Sequence, residues 1–124
     1  MRTLIVDDSK FIREFLRLEL EGLGNECMEA EDGSVALELL RRGECFDLML
    51  VDLNMPVMNG LDCLRSMREE GLDPEMKVVM VTTEADHSTI EDALACGADE
   101  FLMKPFTVRS LQEKLMLVDL TLAV

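Results

Sequence analysis

Three stretches of this chain are apolar almost without interruption: Thr3-Leu4-Ile5-Val6, Leu48-Met49-Leu50-Val51 and Val78-Val79-Met80-Val81. Runs of this kind fit strands buried on both faces, which belong to parallel sheets covered by helices on either side. A shorter run, Phe101-Leu102-Met103, joins them. Each run ends in a group with chemistry to offer. Asp7-Asp8 follows the first, Asp52 the second, Thr82-Thr83 the third and Lys104-Pro105 the fourth. If the strands are parallel, these groups share one edge of the sheet. Three carboxylates, a hydroxyl and an ammonium in one place suit a divalent cation and a phosphoryl group.

Helical patterns separate the runs. From about Ser9 to Leu23, Phe11, Phe15 and Leu18 form one stripe, with Ile12, Leu16 and Leu20 beside it, and Gly22 and Gly24 stop the helix. Glu26–Ala30 reads as a weaker edge strand. Asp32-Gly33-Ser34 turns into a short helix over Val35–Arg42, ended by Gly43. The loop Leu53–Met58 leads to a helix over about Asn59–Glu70, and Gly71-Leu72-Asp73-Pro74 is a linker. A further helix covers about Ser88–Cys96, and the last begins near Thr107. The expected fold is therefore α/β: a (βα)5 doubly wound parallel sheet, in one domain over residues 1–124. Right-handed crossovers place helices on both faces. Ligands of such sheets bind at the carboxyl ends of the strands, where the acids and Lys104 lie.

Composition narrows the function. The net charge is −14, from 26 acids against 12 bases, which disfavours nucleic acid as a direct partner. No apolar run approaches the ~18 residues needed to cross a bilayer, so membrane insertion is not expected. The chain enters its first strand within three residues, without a signal-peptide pattern, and a cytoplasmic location is expected. Cys27, Cys45, Cys63 and Cys96 form no C-x-x-C pair, and His87 is the only histidine, which argues against zinc. Free cysteines and the ten methionines are expected to act as apolar filler.

The order and spacing of Asp7-Asp8, Asp52, Thr82 and Lys104-Pro105 resemble the response-regulator receiver domain of two-component signalling. The strings V-D-D-S, V-D-L-N-M-P-V-M-N-G, V-T-T-E-A and K-P-F-T carry the likeness, which runs along essentially the whole chain. Within the family it is similar to the single-domain chemotaxis regulators (CheY-like). The resemblance implies strand order 2-1-3-4-5. It implies that Asp52 accepts a phosphoryl group from a phosphohistidine on a sensor histidine kinase. Asp8, Asp52 and the backbone carbonyl of Asn54 would bind Mg²⁺ directly, and Asp7 would help through water. Lys104 would pair with Asp52 and then with a phosphoryl oxygen, and Thr82 would donate its hydroxyl there. Pro105 would follow a cis peptide bond.

The resemblance also implies how a signal leaves the site. Thr82 would move toward the phosphate and the strand-five aromatic, here Phe101, would turn inward. The chemotaxis regulators typically carry Tyr at that place. Phe has no hydroxyl and cannot donate a hydrogen bond from either position. The partner face would be helix four, strand five and helix five, with Ile90, Leu94, Phe101, Met103, Phe106 and Lys114 as candidates. Asn54 and Glu84 occupy positions that tune dephosphorylation, consistent with a phosphatase as a further partner, and small Thr83 would leave the phosphate open to water. A target such as a flagellar switch component is implied. Three other readings compete: a receiver cut from a transcription factor, an aspartyl-phosphate phosphatase, and a flavodoxin-like cofactor binder. The phosphatase reading suffers because Asn54 stands where such enzymes usually carry a second acid. The flavin reading suffers because the chain has no Trp or Tyr to stack on the ring. The tail Val118–Val124, apolar at every second position, fits no motif.

Overall fold

The computed structural model describes residues 1–83 and 87–118. Among the described residues five strands and five helices alternate: β1 (Arg2–Val6), α1 (Lys10–Gly22), β2 (Glu26–Ala30), α2 (Gly33–Arg41), β3 (Leu48–Asp52), α3 (Gly60–Glu70), β4 (Lys77–Thr82), α4 (His87–Ala95), β5 (Glu100–Met103) and α5 (Val108–Leu117). All neighbouring strands are parallel, in the order β2-β1-β3-β4-β5. The expected fold and strand order are those observed.

Strand periodicity divides the core in two. Leu4, Val6, Met49, Val51, Val78 and Met80 point to the side covered by α2, α3 and α4. Ile5, Leu48, Leu50, Val79, Val81 and Leu102 point to the side covered by α1 and α5. The apolar runs that look two-sided in sequence are buried on both faces for this reason. Among the described residues no helix is long and apolar enough to cross a membrane.

The helix starts are set by side-chain caps. Ser9 caps α1 by accepting from the Ile12 N–H, so the helix begins one residue later than expected. Asp32 accepts from the N–H groups of Ser34 and Val35 and starts α2 at Gly33, ahead of the expected Val35. Asn59 caps α3, and Thr107 and Ser110 form a reciprocal capping box on α5. The stripe expected on α1 is corrected. Leu16 and Leu20 are buried, but Phe11 and Leu18 are 75% and 71% exposed. An outer-layer helix buries one face, and the apolar residues of α1 cover more than one. Cys27 and Cys63 are buried filler as expected, whereas Cys45 is exposed. The final residues of the alternating tail lie outside the described residues.

Two backbone features shape the loop after β3. Val57, a β-branched residue, has φ of +68° while 85% exposed, a left-handed conformation that costs ~1–2 kcal/mol. Gly60 starts α3 against the end of β3, and its N–H donates to the Leu53 carbonyl at 3.3 Å. A Cβ at this position would collide with the Asp52 carbonyl oxygen and sit 3.0 Å from its carbon. Gly60 therefore allows the close approach that holds the end of β3 under α3. Gly60→Ala should cost ~1–3 kcal/mol through overpacking against backbone that cannot yield. Urea denaturation followed by circular dichroism measures it, the chain having no Trp or Tyr. An unchanged midpoint would mean that the end of β3 is free to move.

Candidate functional site

The carboxyl ends of β1, β3 and β5 bring Asp7, Asp8, Asp52 and Lys104 together. Asp7 follows β1, and its N–H extends the ladder by donating to the Ala30 carbonyl at 3.1 Å. Asp52 is the last residue of β3. Lys104 follows β5, and its N–H donates to the Thr82 carbonyl at 2.7 Å. By strand periodicity Asp7, Asp52 and Lys104 continue the rows of Ile5, Leu50 and Leu102, so all three fall on the α1–α5 side.

The Lys104 ammonium lies between two buried carboxylates. Its Nζ is 3.0 Å from Asp7 Oδ2 and 2.9 Å from Asp52 Oδ2. Each acid also accepts a backbone N–H on its other oxygen: Ser9 to Asp7 Oδ1 at 2.8 Å, Asn54 to Asp52 Oδ1 at 3.0 Å. Asp8 is exposed. One oxygen from each of Asp7, Asp8 and Asp52 lies within 4.8 Å of the others, a spacing that a single cation can bridge. Hard carboxylate oxygens with one side open to solvent suit a divalent ion that retains waters. The residues present therefore fit the metal implied by the sequence. Ser9, not either acid, caps α1, which leaves Asp8 free for that role.

Protonation follows from burial and pairing. Burial pushes the Asp52 carboxyl above its ordinary range. The Asn54 N–H and Lys104 oppose this, and the negative Asp7 reinforces it. Burial pulls Lys104 down, but its hydrogen bonds to Asp52 and Asp7 and the attraction of both charges win, and its pKa is raised. Lys104 is thus a fixed cation, and the charged form of Asp52 is held at some cost beside it.

The remaining predicted residues fall as follows. Thr82 is buried at the end of β4, in register with Met103. It continues the row of Val78 and Met80, on the side opposite to Asp52. The Lys104–Pro105 peptide is cis. Asn54 is exposed beside Asp52, and Glu84 lies outside the described residues. Phe101 is half-buried against the α2–α4 core and pairs in register with Met80. It borders a small void with Leu53, Ile90 and Leu94. Lys114 Nζ is 5.2 Å from the centre of its ring and 3.4 Å from Glu100. Ile90, Leu94, Phe101, Met103 and Lys114 thus lie on α4, β5 and α5. Phe106 sits apart from them: its ring is 6.0 Å from that of Phe15, in a groove walled by α1 that reaches Lys104. Sequence reasoning overlooked Arg13, whose Nη1 donates to the Asp7 carbonyl at 2.7 Å. A side-chain contact to a backbone oxygen leaves no spacing signal to read.

Comparison with known proteins agrees with this geometry. The profile of the response regulator receiver domain matches residues 3–116. A "Chemotaxis protein CheY homolog" of Campylobacter jejuni is 39% identical over 116 residues, 93% of this chain and 89% of that protein. Chemotaxis protein CheY of Pseudomonas aeruginosa is 40% identical over 116 residues, 93% of each chain. The solved structure of chemotaxis protein CheY4 of Vibrio cholerae superposes with a TM-score of 0.86 at 33% identity, over 94% of this chain and 97% of that one. The chain belongs to the response-regulator receiver family. Within it, the chain is CheY-like and closely related to the chemotaxis CheY proteins. A member of this family acts as a phosphoryl acceptor rather than as an enzyme turning over external substrates.

The raised Asp52 pKa has a direct consequence. Folded Asp52 holds its proton more tightly than unfolded Asp52. Its stabilising share is therefore complete below the unfolded value of ~4 and is lost as the pH rises through the folded value. Asp52→Asn, in metal-free buffer, should raise the melting temperature at pH 7, with the advantage fading as the pH falls through the folded value and gone below ~4. Melting curves of both proteins across this range check it. A gain independent of pH would show that ionisation is not its source.

Proposed function

We propose that this chain is a phosphorylatable receiver that takes a phosphoryl group from the phosphohistidine of a sensor histidine kinase onto Asp52, with Mg²⁺ held directly by Asp8 and Asp52 and through water by Asp7. The observation that carries this is the pairing of buried Asp52 with Lys104 at 2.9 Å inside a cluster of three carboxylates. In the transfer, an Asp52 carboxylate oxygen attacks phosphorus. The O–P bond forms as the P–N bond breaks, and the imidazole nitrogen keeps the electron pair. No general base is needed because the nucleophile is already ionised. Lys104 moves from Asp52 to a phosphoryl oxygen and Thr82 donates its hydroxyl to another, while Asp8, Asp52 and the Asn54 carbonyl would be the residues that hold the metal. Mg²⁺ bound at these acids would supply charge neutralisation for the transferring group.

Chemotaxis is the signalling role we favour, because the relatives above are chemotaxis proteins by name. The target would be a protein such as a flagellar switch component, met by α4, β5 and α5 in the cytoplasm, with a phosphatase able to reverse the signal.

Treatment with a small phosphodonor and Mg²⁺ should add one phosphoryl group, labile to base and hydroxylamine. Asp52→Asn should abolish it, and a fully labelled variant would overturn the assignment. The metal should also stabilise the fold: with a dissociation constant of ~1 mM, 10 mM Mg²⁺ adds about 1.4 kcal/mol. A melting temperature indifferent to Mg²⁺ would count against the metal site.

The output can be tested separately. Phosphorylation should perturb α4, β5 and α5 through Thr82 and Phe101. Backbone amide shifts of free and beryllofluoride-treated protein, the fluoride complex standing in for the phosphoryl group, report this. Phe101→Tyr should leave phosphorylation intact and change target affinity. Shifts confined to the loops around Asp8, Asp52 and Lys104 would defeat the coupling.

A further inference from the structure

We propose that Arg13 is a positioning residue for the divalent-cation site, acting through the peptide that joins Asp7 to Asp8; the inference rests on the Mg²⁺ reading above. Arg13 lies near the start of α1 with its side chain only 16% exposed. Nη1 donates to the Asp7 carbonyl at 2.7 Å, and Nε donates to Glu29 Oε1 on β2 at 3.0 Å. Glu29 is in turn held by Arg17 of α1. The guanidinium is therefore fixed at two points and cannot follow a moving carbonyl.

The Asp7 carbonyl is the place where this matters. The β1 ladder ends with the Asp7 N–H on Ala30. The carbonyl of the same residue lies beyond the strand, and a buried carbonyl needs a donor. Arg13 supplies it. The peptide unit is planar, so fixing the Asp7 oxygen fixes the direction in which the chain enters Asp8. Asp7 and Asp52 have their carboxylates pinned by Lys104 and by backbone N–H groups. The exposed Asp8 carboxylate has no such hydrogen bond among the described residues. Its place within 4.8 Å of the other two depends on its backbone. Arg13 is what holds that backbone.

Three effects of Arg13 can be separated by sign. Its positive charge alone opposes a cation, so if charge were all, removing it would tighten Mg²⁺ binding. If Arg13 were only a strut between α1 and β2, its loss would lower the melting temperature and leave affinity unchanged. Positioning predicts weaker binding even though a repelling charge is lost. The experiment is calorimetric titration of Mg²⁺ into wild type, Arg13→Lys and Arg13→Met, well below their melting temperatures, with amide shifts of Asp8 and Ser9 followed in parallel.

Arg13→Lys keeps the charge but cannot reach the Asp7 carbonyl and Glu29 together. It should bind Mg²⁺ roughly 10-fold more weakly, the usual cost of losing a partner that orients a ligand. Arg13→Met should be weakened as well, and in both variants the free-state shifts of Asp8 should move. Affinity that is unchanged or tighter in the variants, with wild type binding normally, overturns the inference and leaves the metal reading intact. Wild type that binds no Mg²⁺ overturns both. Should Arg13→Met fail to fold, Arg13→Lys alone decides between positioning and strut, because charge is constant in that comparison.

Discussion

A single ammonium held between two buried carboxylates is the contact on which the active edge of this sheet depends. Asp7 and Asp52 lie at the ends of adjacent strands with almost no access to water. Two unpaired carboxylates in such a position would repel one another and lose their hydration, a cost of several kcal/mol per ion. Lys104 reaches both, at 3.0 and 2.9 Å, and backbone N–H groups take their other oxygens. The strand order makes this possible. β5 is two strands from β3, about 10 Å away at normal spacing, and a lysine arm following β5 can cross most of that gap. The Lys104 N–H on the Thr82 carbonyl sets the arm's root on the intervening strand.

Much of this is legible in the sequence, and the reason is physical. A strand buried on both faces must be apolar at every position, so the apolar run and the acid that closes it are enough to bound β3 at Leu48–Asp52. The edge strand β2 is bounded equally well at Glu26–Ala30 by the glycines and the Asp-Gly turn around it. The residues that end the strands are legible for the same reason, since the last apolar position marks the rim. The family's strings supply the strand order, which periodicity does not contain.

What is not legible depends on three-dimensional neighbours. Apolar spacing on α1 cannot say which stripe faces inward, and Phe11 and Leu18 face water. Phe106 is expected on the partner face, but its partner is Phe15, far away in sequence. The start of α2 moves to Gly33 because the Asp32 carboxylate captures two N–H groups there. Gly33 itself is required: a Cβ would meet Cys63 and Met58 at 2.9 Å. Arg13 reads in sequence as one more surface charge on a helix, and only the fold shows that it ends on a backbone oxygen beside the acids.

The two-sidedness of the sheet also constrains how a modified Asp52 could be sensed. Asp7, Asp52 and Lys104 fall on the α1–α5 side, whereas Thr82 continues the row that runs past Met80, the register partner of Phe101. A signal starting at Asp52 must therefore pass through the end of β4 to reach α4. A phosphoryl group would bring ~1.5 to 2 negative charges to a place where one ammonium already serves two acids. In the proposed switch Thr82 would turn toward that charge by its hydroxyl. Phe101, the register partner of Met80, borders the small void next to Ile90 and Leu94. In the proposed switch Phe101 offers no hydrogen bond from its ring, and its choice between outward and inward positions would rest on packing. The Lys114 ammonium, 5.2 Å from the ring centre, favours the outward one. In the switch proposed above, cation–π attraction from Lys114 would be set against apolar burial of the Phe101 ring, with no hydroxyl to lock either end.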